Sequence, residues 1–229
     1  MIKRGLATGN NKYFILPLEE IERRELPIEA FKPILPSPRY LSDDEIRSDK
    51  NGNPVMERRL FLLDPPWSED EIQHNYPNLW AYLEEGKAQG DADCYLCRHR
   101  TLWYRQETRP PAPFVCTYLG RSDQKGGRPF RFILNESRAT AANVYLMLYP
   151  KEPMASALGK NPQIKRQVWA LLNEICPKAM LGEGRVYGGG LHKLEPKELC
   201  NVPAKSIEAL LPEGSIPRHS TQLGLFAEA

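Results

Sequence analysis

A chain of 229 residues, 41% of them hydrophobic, is long and apolar enough to bury a core, which excludes a disordered chain except at its ends. The formal net charge of +2 does not by itself indicate a polyanionic partner. No apolar run approaches the roughly 20 residues that cross a bilayer, and the first residues lack the apolar stretch of a signal peptide. The five cysteines favour a reducing compartment. We therefore expect a cytoplasmic protein without a membrane partner.

The first half of the chain predicts short elements separated by prolines. In chain order these are a strand at residues 12–18, a charged segment at 19–25, an extended connector with three prolines at 31–40, a turn at 51–53 and a strand at 58–63. Ser68 and Glu71 form a capping box. Residues 77–87 then place Leu79, Tyr82 and Leu83 on one side of a helix.

The second half predicts strands at residues 114–119, 130–134 and 144–149, with a glycine-containing bend at 125–127. The clearest helix begins with Asn161 as its cap and Pro162 at its first position, and ends at Pro177. Its apolar residues recur at helical spacing. After the three glycines at 188–190, the pattern favours short helices and a polar tail.

The charges are unevenly distributed along the chain. Residues 41–93 contain thirteen acidic and five basic residues, whereas residues 98–131 contain eight basic and two acidic residues. Such asymmetry indicates a face that binds a polyanion, unless folding brings the two regions together and cancels the field.

The segment at residues 94–105 combines arginines with aromatic rings. Arg98, Arg100 and Arg105 offer planar donors for phosphate or guanine, and Trp103 and Tyr104 offer flat faces to bases or sugars. This chemistry is typical of nucleic-acid binding. The alternative is a buried tryptophan flanked by solvated arginines.

The motif Asp64-Pro65-Pro66-Trp67 follows an apolar strand and has the shape of the loop with which amino methyltransferases hold a flipped-out base. Such an enzyme also needs a glycine-rich turn for S-adenosylmethionine, and no such segment stands near or after it. A proline-stiffened loop is the favoured interpretation.

Cys94 and Cys97, with His99 two residues later, have the spacing of half a zinc site. No second pair of ligands stands at comparable spacing. Buried free thiols are therefore expected, and no metal.

The segment from Arg4 to Leu16, with its Arg-Gly-Leu-Ala-Thr-Gly-Asn-Asn run, resembles the block that follows the catalytic domain in TaqI-like N6-adenine DNA methyltransferases of restriction-modification systems. Three later segments are similar to blocks of their C-terminal target-recognition region. They are Cys97-Arg98 with Trp103-Tyr104 and Glu107, then 132–135 with Asn143, and finally Arg185 to Pro196. The similarity covers about residues 3–202, in the family's order.

The resemblance implies that this chain is the DNA-reading half of such an enzyme. The family's glycine-rich cofactor turn and its Asn-Pro-Pro-Tyr loop stand upstream of the block that begins here at residue 4. We therefore expect no cofactor and no activity in this chain alone, and S-adenosylmethionine in the parent enzyme. The implied partners are double-stranded DNA, a catalytic methyltransferase domain upstream or in trans, and, in some systems, a restriction endonuclease.

The resemblance also implies residue roles. Phosphate contacts would set the register on DNA, and arginine and asparagine side chains would read base edges. The phosphate candidates are Arg98, Arg100, Arg105, Arg121, Lys125 and Arg128, and the base-reading candidates are Arg131, Asn135, Arg138 and Asn143. Asn135 and Asn143 could instead satisfy turn backbones, and Trp103 could belong to the core. The loop with Gly5, Thr8, Gly9, Asn10 and Asn11 would lie at the junction with the catalytic domain and the flipped base.

We thus expect an α+β fold like that of a target-recognition domain, with a mixed, largely antiparallel sheet and peripheral helices. Residues 1–205 would form the recognition domain, residues 1–18 being its junction segment, and residues 206–229 a polar tail. Two alternatives stay open: a free-standing protein-interaction module, and a small complete methyltransferase built around Asp64.

Overall fold

A computed structural model describes residues 1–121 and 128–210 of the chain. Within them the strands are short. They are β1 (Ile2–Arg4), β2 (Ile15–Pro17), β3 (Phe31–Leu35), β4 (Glu45–Ile46), β5 (Leu60–Leu63), β6 (Phe114–Thr117), β7 (Leu119–Arg121), β8 (Phe132–Asn135), β9 (Thr140–Ala141), β10 (Tyr145–Leu148), β11 (Arg185–Tyr187) and β12 (Leu191–Lys193).

The helices are short too, apart from two of about three turns. They are α1 (Asn11–Phe14), α2 (Leu18–Arg23), α3 (Glu69–Asn75), α4 (Pro77–Ala88), α5 (Tyr95–Arg98), α6 (Met154–Lys160), α7 (Pro162–Glu174), α8 (Pro177–Glu183), α9 (Pro196–Asn201) and α10 (Lys205–Glu208). Single 3-10 turns lie at Ile28–Ala30, Pro38–Tyr40, Asp91–Asp93 and Gly188–Gly190.

A five-stranded sheet in the order β1-β10-β6-β8-β4 lies at the centre of the fold. All of its pairs are antiparallel except β4 with β8. Its inner strands are buried on both faces, because alternate residues enter different cores. On β6, for example, Phe114 packs with apolar residues of α6 to α10, whereas Val115 packs on the opposite side.

A four-stranded sheet in the order β2-β5-β3-β9 packs with α3 and α4 around a second core. β3 occupies part of the predicted connector at 31–40, so that prediction was wrong for residues 31–35. Proline has no backbone N–H to donate to a neighbouring strand. Pro33 is tolerated in β3 because pairing with β9 involves Ile34 and Leu35, which follow it.

The third sheet has three strands in the order β11-β12-β7, joined by antiparallel pairing. The turn between β11 and β12 consists of the three glycines at 188–190, where Gly189 and Gly190 adopt positive φ angles. Residues with a Cβ atom adopt this conformation at a cost, and glycine does not. The sequence pattern after these glycines predicts only short helices, so β12 corrects that prediction.

The expected α+β architecture with mixed, largely antiparallel sheets and peripheral helices is confirmed. The capping box at Ser68 and Glu71 is present, and α7 begins where Asn161 accepts a hydrogen bond from the backbone N–H of Gln163. The strand predicted at 12–18 was wrong in its first half. Asn10 caps α1 through the backbone N–H of Lys12, and only Ile15–Pro17 is extended.

The packed core extends beyond residue 205, since Ile207 is buried against the helical layer. Within residues 1–121 and 128–210, no helix has the length and apolarity required to span a bilayer. The predicted bend at 125–127 lies outside the described residues.

Candidate nucleic-acid interface

The arginine and aromatic side chains of residues 94–105 mostly face inward. Tyr104 is fully buried, its hydroxyl donates to the carbonyl of Trp67 at 2.8 Å, and burial raises its pKa to about 12. Trp103 is partly buried against the second core. Arg100 donates to the carbonyls of Ala7 and Thr8 at 3.1 and 3.0 Å. These side chains stabilise the fold.

Arg105 belongs to the loop at Asp64. Its guanidinium donates to the carbonyl of Pro65 at 2.7 Å and lies 3.3 Å from the Asp64 carboxylate. Asp64 is buried, also pairs with Lys32, and accepts from the backbone N–H of Gln106 at 3.0 Å. Both oxygens of this carboxylate are therefore engaged inside the protein, as in a structural loop.

Two of the base-reading candidates are also engaged internally. The Arg131 guanidinium donates to Asp44 at 2.7 Å and to the carbonyls of Pro38 and Leu41. Asn135 is buried, and its side-chain amide donates to the carbonyls of residues 112 and 139. Its oxygen accepts from the backbone and the hydroxyl of Ser137. We assign Asn135 to turn stabilisation.

Replacing Asn135 with alanine is expected to lower the free energy of unfolding by about 2 kcal/mol, because buried groups at both ends of its amide lose their partners. The measurement is urea unfolding. Asn143→Ala is the matched control: Asn143 is only partly buried, so its effect should stay within about 0.5 kcal/mol. Equal stability of the two variants would contradict the assignment.

The remaining arginines predicted to contact DNA are exposed to solvent, in contrast to Arg131. Arg98, Arg121, Arg128 and Arg138 are exposed and form no ion pair within the described part of the chain. The carbonyl of Asn143 accepts from Arg4 at 3.1 Å. Lys125 lies outside the described residues.

The predicted junction loop packs tightly on the body of the fold. Gly5 and Thr8 are buried, and a Cβ atom on Gly5 would lie 2.1 Å from the carbonyl oxygen of Ala142. The Asn10 side chain donates to Asp91 at 2.5 Å, and the Thr8 hydroxyl donates to the side chain of Asn11 at 2.7 Å. Gly9 is exposed and lies against Cys94.

The three-stranded sheet presents a cationic and aromatic face to solvent. Residues directly opposite each other in antiparallel strands share a face, as do residues two apart on one strand. Arg185, Lys193 and Leu119 form one such row, and Tyr187, Leu191 and Arg121 form the next. Tyr187 and Leu119 are 46% and 45% exposed, and both arginines are exposed. We call these six residues the hairpin face.

On the opposite face of β7, the backbone of Pro129 lies directly against Gly120. A Cβ atom on Gly120 would lie 1.4 Å from the carbonyl oxygen of Pro129, so only glycine fits there. This contact fixes the sheet on the body of the fold and leaves the hairpin face outward.

A groove of about 900 Å³ begins beside the hairpin face. Its lining contains basic residues from several elements: Lys3, Arg4, Arg109, Arg185 and Lys197. Glu107 and Arg109 also line a neighbouring cleft of about 250 Å³, which contains Arg138, Lys32 and Thr140. The two depressions adjoin at Glu107 and Arg109, and we call them together the track.

The carboxylates in the groove are each paired with a cation. Glu107 pairs with Arg109 at 2.6 Å, and Glu198 with Arg185 at 2.9 Å. Among the described residues, Lys3, Arg4, Lys197 and Arg121 form no ion pair, so they supply a surplus of positive charge. We call these four the unpaired cations.

The junction of the groove and the hairpin face is built around Tyr118. Its ring packs beneath the guanidinium of Arg4 at 4.2 Å and the ammonium of Lys193 at 5.3 Å. Its hydroxyl donates to Glu195 at 2.7 Å. Burial alone would raise the pKa of Glu195, but hydrogen bonds from Lys193 and Tyr118 outweigh it and lower that pKa.

Most of this surface was not predicted from the sequence. Arg121 and Arg138 were among the predicted site residues, whereas Arg4, Arg109, Lys193 and Tyr187 were not. The sequence does contain a signal for this hairpin. Arg185 and Tyr187 alternate with Val186 directly before the three glycines, as in a hairpin strand with one exposed face. No group of three or more potential metal ligands occurs within the described ranges.

Comparison with known proteins identifies the class. The family model "Type II methyltransferase M.Eco57I, C-terminal domain" matches residues 1–223. The chain belongs to this family, and the resemblance to the C-terminal region of restriction-modification methyltransferases is confirmed.

The chain is similar to two curated relatives. It is 28% identical over 209 residues to Type II methyltransferase M.XamI of Xanthomonas campestris pv. amaranthicola, covering 91% of this chain and 36% of the relative. It is 25% identical over 199 residues to Type II methyltransferase M.AccI of Acinetobacter calcoaceticus, covering 86% and 34%. The chain thus spans about a third of the length of these relatives.

A solved structure of the Type IIL restriction-modification enzyme MmeI in complex with DNA also matches. The match covers 72% of this chain and 21% of that chain, at 11% identity and a TM-score of 0.39.

Proposed function

We propose that this chain is the sequence-specific DNA-recognition portion of an S-adenosylmethionine-dependent, adenine-N6 DNA methyltransferase of a restriction-modification system. Family membership over residues 1–223 supports the parent class. The observation that carries the DNA-binding role is the set of unpaired cations, of which Lys3, Arg4 and Lys197 line the groove and Arg121 lies on the adjoining hairpin face. Phosphate groups bind such a surface, and the displaced counterions drive the association.

Within this proposal, the unpaired cations contact phosphates and set the register on the duplex. The exposed ring of Tyr187 and the Gly188–Gly190 turn form the tip of the β11–β12 hairpin, which is narrow enough for a DNA groove. Arg138 and Asn143 stay candidates for base edges, and Arg98 and Arg128 for phosphates. The junction loop would contact the catalytic domain.

S-adenosylmethionine supplies the methyl group in the parent enzyme. The loop at Asp64 does not fit a site for it, because the Asp64 carboxylate is engaged by Lys32, Arg105 and the backbone of Gln106. The sequence also has no glycine-rich turn of the cofactor-binding kind after a strand. This disfavours a complete methyltransferase built around Asp64.

A protein-interaction module is the second candidate. One observation favours it: the β11–β12 hairpin and its neighbour expose Val186, Tyr187 and Leu119, and exposed apolar groups are typical of protein interfaces. The unpaired cations nearby favour DNA as the partner.

Duplex binding at several salt concentrations separates these candidates. For a DNA-recognition domain, the logarithm of the binding constant should fall with the logarithm of salt concentration with a slope of about −3 to −4, as expected for about four phosphate contacts. Selection of bound duplexes from a random pool at two salt concentrations should then return one preferred sequence. A flat salt response would contradict DNA recognition, and binding of S-adenosylmethionine by the chain would favour the complete enzyme.

A further inference from the structure

Two thiols lie in contact beside the predicted junction loop. The Sγ atoms of Cys94 and Cys97 are 3.0 Å apart, which is closer than two sulfurs approach without a direct interaction. Cys94 is the N-cap of α5 and Cys97 lies inside that helix. Both are free thiols, and the structure brings no third cysteine, histidine or carboxylate to them as a metal ligand within the described residues.

The surroundings give the two thiols different access to solvent. Cys97 is fully buried, and Cys94 is half-buried. Burial, followed by the hydrogen bond from Cys94, raises the pKa of Cys97 to about 12. Cys94 is therefore the thiol that a solute reaches first, and Cys97 is held behind it.

We propose that Cys94 and Cys97 form a reversible redox site that closes to an intramolecular disulfide on exposure to a low-molecular-weight disulfide. The required movement is small, because an S–S bond of about 2.05 Å is less than 1 Å shorter than the present separation. Intramolecular attack over so short a distance is strongly favoured over reaction with a second solute molecule.

The chemistry proceeds in two exchange steps. The Cys94 thiolate attacks one sulfur of the solute disulfide, the solute S–S bond breaks, and one solute thiolate leaves and takes up a proton. Cys97 then loses its proton and attacks the Cys94 sulfur, which releases the second solute thiol. The two cysteines are oxidised together, and the solute disulfide is reduced to two thiols. Arg100, whose Nη1 lies 3.5 Å from the Cys97 sulfur, stabilises the charge that develops there.

The site is connected to the junction loop. The Cys97 thiol donates weakly to the Thr8 carbonyl at 3.8 Å, and Gly9 lies against Cys94. Closure removes the Cys97 proton that bonds to Thr8 and changes the position of the sulfur atoms beside Gly9. Oxidation should therefore change the hydrogen exchange of the amides at residues 8–10, which gives a structural readout independent of DNA binding.

The test uses the full chain, glutathione disulfide as the probe, and mass analysis of peptides. Wild-type protein should lose two hydrogens and link Cys94 to Cys97, whereas the exposed Cys176 should retain a glutathione adduct as an internal comparison. Cys97→Ser should retain glutathione on Cys94, and Cys94→Ser should leave Cys97 unmodified. Dithiothreitol should restore both thiols.

Two results would overturn the proposal. One is a wild-type protein that keeps glutathione on Cys94, because Cys97 then fails to displace it. The other is a Cys94–Cys97 pair that stays reduced under conditions that modify Cys176. Both are read on the wild-type chain, so the conclusion does not depend on how the variants fold.

Discussion

Gly5→Ala is expected to lower the free energy of unfolding by about 3 kcal/mol or more, although it adds a single methyl group. The new Cβ atom would lie 2.1 Å from the carbonyl oxygen of Ala142 and 2.6 Å from that of Ala141. Ala141 is the last residue of β9 and Ala142 follows it, and the Gly5 amide itself donates to the carbonyl of Tyr145 on β10 at 2.9 Å. The clash must therefore push the chain after β1 away from residues 141–142, a cost typical of overpacking at a site that cannot relax.

Gly159→Ala is the matched control for this measurement. Gly159 lies within α6, and a Cβ atom there meets nothing within 4 Å. The same substitution should raise stability by up to about 1 kcal/mol, because alanine has the higher helix propensity. Urea unfolding of both variants gives the comparison. If Gly5→Ala were as stable as the wild type, the close approach of Gly5 to residues 141–142 would not exist.

Local patterns predicted the elements that are stabilised locally. α7 follows from Asn161, Pro162 and the apolar spacing behind them, and the capping box at Ser68 fixes the start of α3. β3 was missed because three prolines suggest a connector, whereas pairing with β5 and β9 depends on residues far away in the sequence. Such long-range pairing has no local signal.

The residues of the candidate site were also hard to predict, because their contacts are made over long distances in the sequence. Arginine and aromatic residues at 94–105 have the composition of a binding surface, but Tyr104 and Arg105 contact the loop after β5, about 40 residues earlier in the chain. Composition does not specify whether a guanidinium meets a phosphate or a carbonyl. The hairpin face depends on the pairing of β12 with β7, which only the folded chain shows.

The unpaired cations give the largest expected effect on DNA binding. Replacing Lys3, Arg121 and Lys197 together with glutamine should weaken duplex binding by about 100-fold, at about 1 kcal/mol for each phosphate contact. The salt slope should become shallower by about 2.7, that is, about 0.9 for each lost contact. Stability should change by no more than about 0.5 kcal/mol, since these side chains form no ion pair among the described residues.

The matched control carries the same change in net charge on another surface. Lys160, Lys165 and Lys178 lie on α6, α7 and α8 and line neither depression of the track. Their triple glutamine variant should keep the wild-type salt slope. Equal weakening by both triple variants would mean that only the overall charge attracts DNA, and the track would then have no special role. Uniform weakening over all sequences would assign the three cations to phosphates, whereas a lost preference at one base pair would identify a reader among them.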